Sequence, residues 1–251
     1  MRKQKIRIKK IVLLGDVKHD FGTITDIEWR EILEFFNYLK KKLEDINKID
    51  EKVKIDKENN IVNKKELKNK IIVIRGNHDN ILKPIVKKVG ICLADYYCVK
   101  ISERRIGFLH GDKLFKQCLN SDYLFFGHLH PAITIYDKYK SEKYKCFLKG
   151  KWNNQEGYIL PSFSSASFGY DLRDIDNLDR TDKRRGILNL TNRIKRKLGL
   201  VKKSDSKVYN VKKDKNKFFV VPIKTLKNFE VIIYNNKEKR EYSFGKLMNL
   251  I

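Results

Sequence analysis

Four short apolar runs, each ending in a polar motif, constrain this chain most strongly. The runs are residues 11–14, 71–74, 106–109 and 123–126, and all five histidines lie within five residues of the end of a run. Short apolar runs bounded by glycine and polar residues are typical of buried strands. Because open α/β sheets bind ligands outside the carboxyl ends of their strands, the four motifs are predicted to meet at one sheet edge. Such a meeting of histidines and carboxylates indicates a metal site.

The motifs are Gly-Asp at 15–16, Gly-Asn-His-Asp at 76–79, His-Gly at 110–111 and Gly-His-Leu-His at 127–130. Their order resembles that of the calcineurin-like metallophosphoesterases, and the resemblance extends over most of the first half of the chain. The Gly-Asp-Val-Lys-His sequence at 15–19 resembles the variant found in an archaeal ICC-like phosphoesterase subgroup. The resemblance implies an α/β fold in which a two-sheet β-sandwich is flanked by helices.

The opening motif of that family, Asp-x-His on the first strand, has no counterpart in this sequence. No Asp or His precedes Asp16. We therefore expect the family's first strand to be missing, although residues 5–9 alternate as a substitute edge strand would. A truncated enzyme is one explanation. A phosphoesterase fold that has lost catalysis is the other.

The resemblance also implies a ligand set. Asp16 would bridge two divalent metals, since one carboxylate can hold two ions about 3.5 to 4 Å apart. Asn77, His110 and His128 would complete the ligands of one metal, and His130 would bind the other. Such mixed oxygen and nitrogen ligands favour Mn, with Fe or Zn as alternatives. One metal site is expected to be well formed, whereas the site of His130 keeps only two protein ligands and is expected to be weak or lost.

The remaining motif residues are implied to act on substrate. His78 would protonate the leaving oxygen or stabilise phosphate charge, and Asp79 would hold its other ring nitrogen. Lys18 and Arg75 flank motifs and could bind phosphate oxygens, although solvated loop charges are the simpler interpretation. His19 could contact phosphate, replace a missing ligand, or be an ordinary surface histidine.

The strongly basic composition bears on the partner. The formal net charge is +25, with 56 Lys and Arg against 31 Asp and Glu. Such an excess favours a polyanionic partner such as nucleic acid, while the composition bias of a thermophile or an AT-rich genome is an equal alternative. Residues 187–251 hold 17 Lys and Arg and 5 Asp and Glu. If the chain binds nucleic acid, residues 187–251, the basic C-terminal region, are therefore predicted to make the contact.

The length of 251 residues suits a single domain over 1–251. Thr25–Glu28 is typical of a capping box that opens an amphipathic helix whose apolar face consists of Ile32, Phe35, Phe36, Leu39 and Leu43. Polar insertions are predicted at about 46–70 and 183–217. A terminal hairpin is predicted with its turn at residues 235–236.

The cysteines and the hydropathy pattern indicate a cytoplasmic protein. Cys92, Cys98, Cys118 and Cys146 form no Cys-x-x-Cys pair and are predicted to be buried free thiols in a reducing cytosol. No apolar stretch approaches the about 20 residues that span a bilayer, so no membrane contact is expected. The oligomeric state is left open by the sequence.

Two kinds of function follow from these observations. The first is a metal-dependent phosphohydrolase that cleaves a phosphoester, in particular a phosphodiesterase acting on nucleotides or nucleic acid. The alternative is a catalytically impaired binding or scaffold protein with the same fold, or an N-terminally truncated enzyme. Retention of His78 and Asp79, which the fold itself does not need, favours the enzyme.

Overall fold

The computed structural model describes residues 8–18, 23–51, 70–178 and 218–251. The chain divides into two compact units, one of Met1–His110 with Leu114–His128, the other of Gly111–Lys113 with Leu129–Ile251. Several sheets with a few helices make up the described chain, which confirms the predicted α/β class. The single domain over 1–251 and the missing first strand stay predictions.

The first unit contains six strands and two α-helices among its described residues. They are β1 (Ile11–Leu13), α1 (Asp26–Glu51), β2 (Ile71–Ile74), α2 (Lys83–Val89), β3 (Cys92–Ala94), β4 (Tyr96–Ile101), β5 (Arg104–Leu109) and β6 (Tyr123–Phe126). The four apolar runs predicted as strands are therefore confirmed as β1, β2, β5 and β6.

Parallel pairing brings the motifs to a common sheet edge in two pairs, one pair in each of two sheets. β1, β2 and β3 form a parallel sheet in that order, and every residue of β2 is buried. β5 lies parallel to β6 and antiparallel to β4. β5 and β6 end immediately before a polar motif, and β1 and β2 end one residue before theirs.

Helix α1 covers the parallel sheet through its apolar face. Its side chains Ile32, Phe36 and Leu43 are buried in one core cluster with residues of β2 and α2. Thr25 Oγ1 accepts a hydrogen bond of 3.2 Å from the Glu28 N–H, as an N-cap does. The predicted start and apolar face of this helix are therefore confirmed.

The second unit is mostly antiparallel β-structure. Its elements are β7 (Pro131–Tyr136), β8 (Ser141–Lys145), β9 (Phe147–Trp152), β10 (Gln155–Ile159), β11 (Tyr170–Asp171), α3 (Ile223–Leu226), β12 (Glu230–Asn235) and β13 (Arg240–Lys246). β12 and β13 pair as the predicted terminal hairpin, and Asn235 Oδ1 accepts the Lys237 N–H in its turn.

Other predictions have mixed outcomes. Helix α1 continues to Glu51, so the segment predicted as a polar insertion begins inside a helix, because Lys and Glu are good helix formers. Residues 52–69 and 183–217 lie outside the described ranges. Among the described residues, no helix is both long enough and apolar enough to cross a membrane.

The cysteines are all free thiols, as predicted. Cys118 and Cys146 are buried, and burial above all raises the pKa of each thiol to about 12. The prediction of a buried thiol is wrong for Cys92, which is exposed because it begins β3 at one edge of the parallel sheet. Cys98 is half-buried, with its sulfur 3.5 Å from the sulfur of Cys118.

Candidate metal centre

Three side chains from three strand ends meet in the first unit. Asp16 follows β1, His110 follows β5 and His128 follows β6, and one ligand atom from each lies within 4.8 Å of the others. Asp16 Oδ2 is 3.3 Å from His110 Nε2, and His128 Nδ1 is 2.9 Å from the same nitrogen. Asn77 Oδ1, on the loop after β2, is 3.0 Å from it as well. The structure therefore brings together the four residues predicted to bind one metal.

The hydrogen bonding of His110 identifies which of its nitrogens would bind the metal. Its Nδ1 lies 2.6 Å from the Leu14 carbonyl oxygen, which can only accept, so Nδ1 carries the proton. In the neutral ring, Nε2 then presents a lone pair toward Asp16 Oδ2 and Asn77 Oδ1, which also carry lone pairs. Lone pairs that face one another repel unless a proton or a metal ion lies among them. A histidine that donates its other N–H to a backbone carbonyl is typical of metal ligands.

Asp16 is held in an uncommon backbone conformation. Its φ of 52° lies in the left-handed region, where a non-glycine residue needs support from its surroundings. Its Oδ1 accepts the His78 N–H at 3.1 Å. Burial by itself would raise the pKa of Asp16, but the hydrogen bond and charge of His110, with the His78 N–H, bring its pKa below the usual value. The carboxylate is thus ionised, as a metal ligand must be.

Asp79 organises two of the motif loops. Its side chain is 1% exposed, and its carboxylate accepts the N–H groups of Asp16 (2.8 Å), Gly76 (2.8 Å) and Lys18 (3.1 Å). Burial raises the pKa of Asp79, while these three N–H groups oppose the rise. Sequence analysis did not foresee this role. The predicted contact of Asp79 with the ring of His78 stays a prediction.

Close approach of two loops explains the glycine in the Gly-Asn-His-Asp motif. A Cβ atom at Gly76 would lie 2.1 Å from Asp16 Oδ1 and 2.4 Å from the Asp16 nitrogen. Real Cβ atoms do not make such contacts. Gly76 is therefore needed so that the Asp16 carboxylate can reach the cluster.

The two basic residues predicted to bind phosphate are both in ion pairs. Lys18 is 1% exposed, with Nζ 3.6 Å from Glu28 Oε2, so the solvated-charge interpretation is wrong for this residue. Its loop folds inward because the Lys18 N–H bonds to the buried Asp79 carboxylate. Arg75 is partly exposed and pairs with Asp95 at 3.0 Å. Phosphate binding by either residue stays a prediction.

Two of the predicted site residues stay predictions. His19 is outside the described residues. His130 belongs to the second unit, where its carbonyl oxygen accepts the Tyr170 N–H at 2.8 Å. Binding of another metal by His130 is still a prediction.

Comparison with known proteins gives little further information. No protein-family model matches the chain, and no curated protein matches it. A solved structure of a single mutant of Vps29 from Entamoeba histolytica is similar to part of this chain. The match covers 63% of this chain and 78% of the Vps29 chain. The two sequences are 14% identical and the TM-score is 0.26. That likeness is too low to bear on function.

Proposed function

We propose that this chain is a metal-dependent phosphohydrolase of the calcineurin-like type. Asp16, Asn77, His110 and His128 would hold one divalent ion. The observation that carries the proposal is that Asp16 Oδ2, Asn77 Oδ1 and His128 Nδ1 all lie within 3.3 Å of His110 Nε2, so that two oxygen and two nitrogen ligands of a divalent ion are grouped at one point. Membership of the archaeal ICC-like subgroup rests on the 15–19 sequence alone.

The proposed reaction divides the work between the ion and the chain. A bound ion would neutralise phosphate oxygens and make an activated water available near neutral pH. Asp16, His110 and His128 would hold the ion, and the Leu14 carbonyl fixes the orientation of the His110 ring. His78 is proposed to donate a proton to the leaving oxygen, because its backbone N–H places it beside Asp16.

Mn is the metal proposed, with Fe or Zn as alternatives. The ligand set contains one carboxylate oxygen, one amide oxygen and two imidazoles, which suits borderline transition ions better than Ca. A second metal held by Asp16 and His130 is proposed only as a weak site, since few protein ligands are available for it.

Hydrolysis of bis(4-nitrophenyl) phosphate in the presence of Mn tests the proposal. The parent chain is expected to cleave this diester, and to cleave 4-nitrophenyl phosphate more slowly. The Asn77→Ala variant, checked for folding by circular dichroism, is expected to lose activity because one oxygen ligand is gone. A folded, Mn-binding parent without activity would favour the alternative, a binding or scaffold protein.

A nucleotide or nucleic-acid substrate is proposed from charge. Most of the positive excess of the basic C-terminal region comes from residues 187–217, which hold 11 Lys and Arg with 2 Asp and Glu and lie outside the described ranges. Residues 218–251 hold 6 and 3.

If this region contacts nucleic acid, affinity for a single-stranded oligonucleotide should fall steeply with salt. The logarithmic slope is expected to be about −0.7 for each phosphate neutralised, because bound counterions are released. Fluorescence anisotropy from 50 to 300 mM NaCl measures it. An affinity that does not change across this range would remove nucleic acid as the partner.

A further inference from the structure

The short loop that carries Asp16 is held from two sides. On one side, Asp79 accepts the N–H groups of Asp16 and Lys18. On the other side, the Lys18 side chain extends to helix α1, where its Nζ lies 3.6 Å from Glu28 Oε2. Asp79 belongs to a recognised motif. Glu28 belongs only to the capping box at the start of α1, and no feature of the sequence linked it to the metal centre.

The ion pair of Lys18 and Glu28 is almost fully shielded from solvent. The Lys18 side chain has no exposed surface and that of Glu28 is 13% exposed. A buried ammonium group is costly unless an opposite charge lies beside it. The position of Glu28 therefore restricts where Lys18 can lie. Because Asp16 is only two residues before Lys18, its position is restricted as well.

Glu28 is itself firmly placed. Its N–H donates to Thr25 Oγ1 at the start of α1. One turn later, Ile32 and Phe36 anchor the same helix in the buried core cluster. A continuous series of contacts thus runs from the core through α1, Glu28 and Lys18 to the Asp16 loop.

We propose that Glu28 is a positioning residue for the metal centre. Its ion pair with Lys18 holds Asp16, at its left-handed φ of 52°, where the carboxylate reaches His110 and His128. A strained conformation of this kind persists only where several contacts impose it, and this pair is one such contact, supplied from outside the four strand-end motifs. The inference rests on the proposed metal site and assigns Lys18 to positioning rather than to phosphate binding.

The Mn affinity of Glu28→Gln tests the proposal, with Glu31→Gln as the matched control on the exposed side of α1. Affinity is measured by electron paramagnetic resonance of free Mn under conditions where circular dichroism shows each variant to be folded. Glu28→Gln is expected to weaken binding by about tenfold or more, as loss of a supporting contact to a ligand typically does. Glu31→Gln is expected to bind like the parent.

A double variant protects the test against misfolding. Lys18→Met with Glu28→Leu replaces both charges by apolar groups of similar size, a change that folded proteins usually tolerate. It is expected to be folded and still to bind Mn more weakly than the parent. Parent-like affinity in this double variant, or in folded Glu28→Gln, would overturn the positioning role while leaving the metal site intact. A parent that binds no Mn would overturn the metal site itself, and this inference with it.

Discussion

Replacing His128 with alanine is expected to release the metal, whereas replacing His78 with alanine is expected to abolish turnover and keep the metal. His128 Nδ1 lies in the ligand cluster, 2.9 Å from His110 Nε2. The contact of His78 with Asp16 is made by its backbone N–H, which alanine retains. The position of Asp16 should therefore survive in His78→Ala. Loss of a general acid lowers kcat by about 10²- to 10⁴-fold.

Metal content per folded chain and kcat, measured on the same preparations, separate the two roles. Inductively coupled plasma spectrometry after gel filtration gives the metal content, and His128→Ala should retain close to none. His78→Ala should retain nearly the parent amount. Equal metal loss in both variants would contradict the division between ligand and proton donor.

Replacing Asp79 with alanine is expected to lower the free energy of unfolding by about 3 to 5 kcal/mol. The carboxylate is 1% exposed and accepts the N–H groups of Asp16, Gly76 and Lys18. Alanine would leave these three donors without their acceptor at a buried position. Asp79→Asn keeps the shape and one acceptor oxygen, so a smaller loss is expected for it.

Urea unfolding followed by circular dichroism measures these changes. Asp95→Ala is the control, because Asp95 is an exposed carboxylate in a surface ion pair with Arg75 and such pairs contribute little. A loss below about 1 kcal/mol in Asp79→Ala would show that the loops are held by other contacts.

The site was predictable from sequence wherever strand and ligand are neighbours in the chain. Apolar runs marked β1, β2, β5 and β6, and the position of a motif after each run indicated which side chains would meet. The structure accordingly places Asp16, Asn77, His110 and His128 together. Period and glycine placement are local signals that predict the strand ends, and the resemblance of the motifs to the calcineurin-like family implies which side chains bind the metal.

The supporting contacts were not predictable in the same way. Glu28 meets Lys18 because α1 packs back on the parallel sheet, and its direction depends on the core formed by Ile32 and Phe36. The motif pattern predicts that Asp79 contacts the ring of His78. The hydrogen bonds that Asp79 accepts from three N–H groups depend on the path of two loops, which is not a local property of the sequence. The capping-box pattern that includes Glu28 does not indicate that its side chain pairs with Lys18, ten residues earlier.

The number of Mn ions bound per chain is the most direct test of the metal centre. Equilibrium dialysis of the parent chain against Mn, beside Asn77→Ala and His110→Ala, measures it without any choice of substrate. One tightly bound ion per parent chain, weakened in Asn77→Ala and lost in His110→Ala, is the expected result. A folded parent chain that binds no Mn, Fe or Zn would contradict the account.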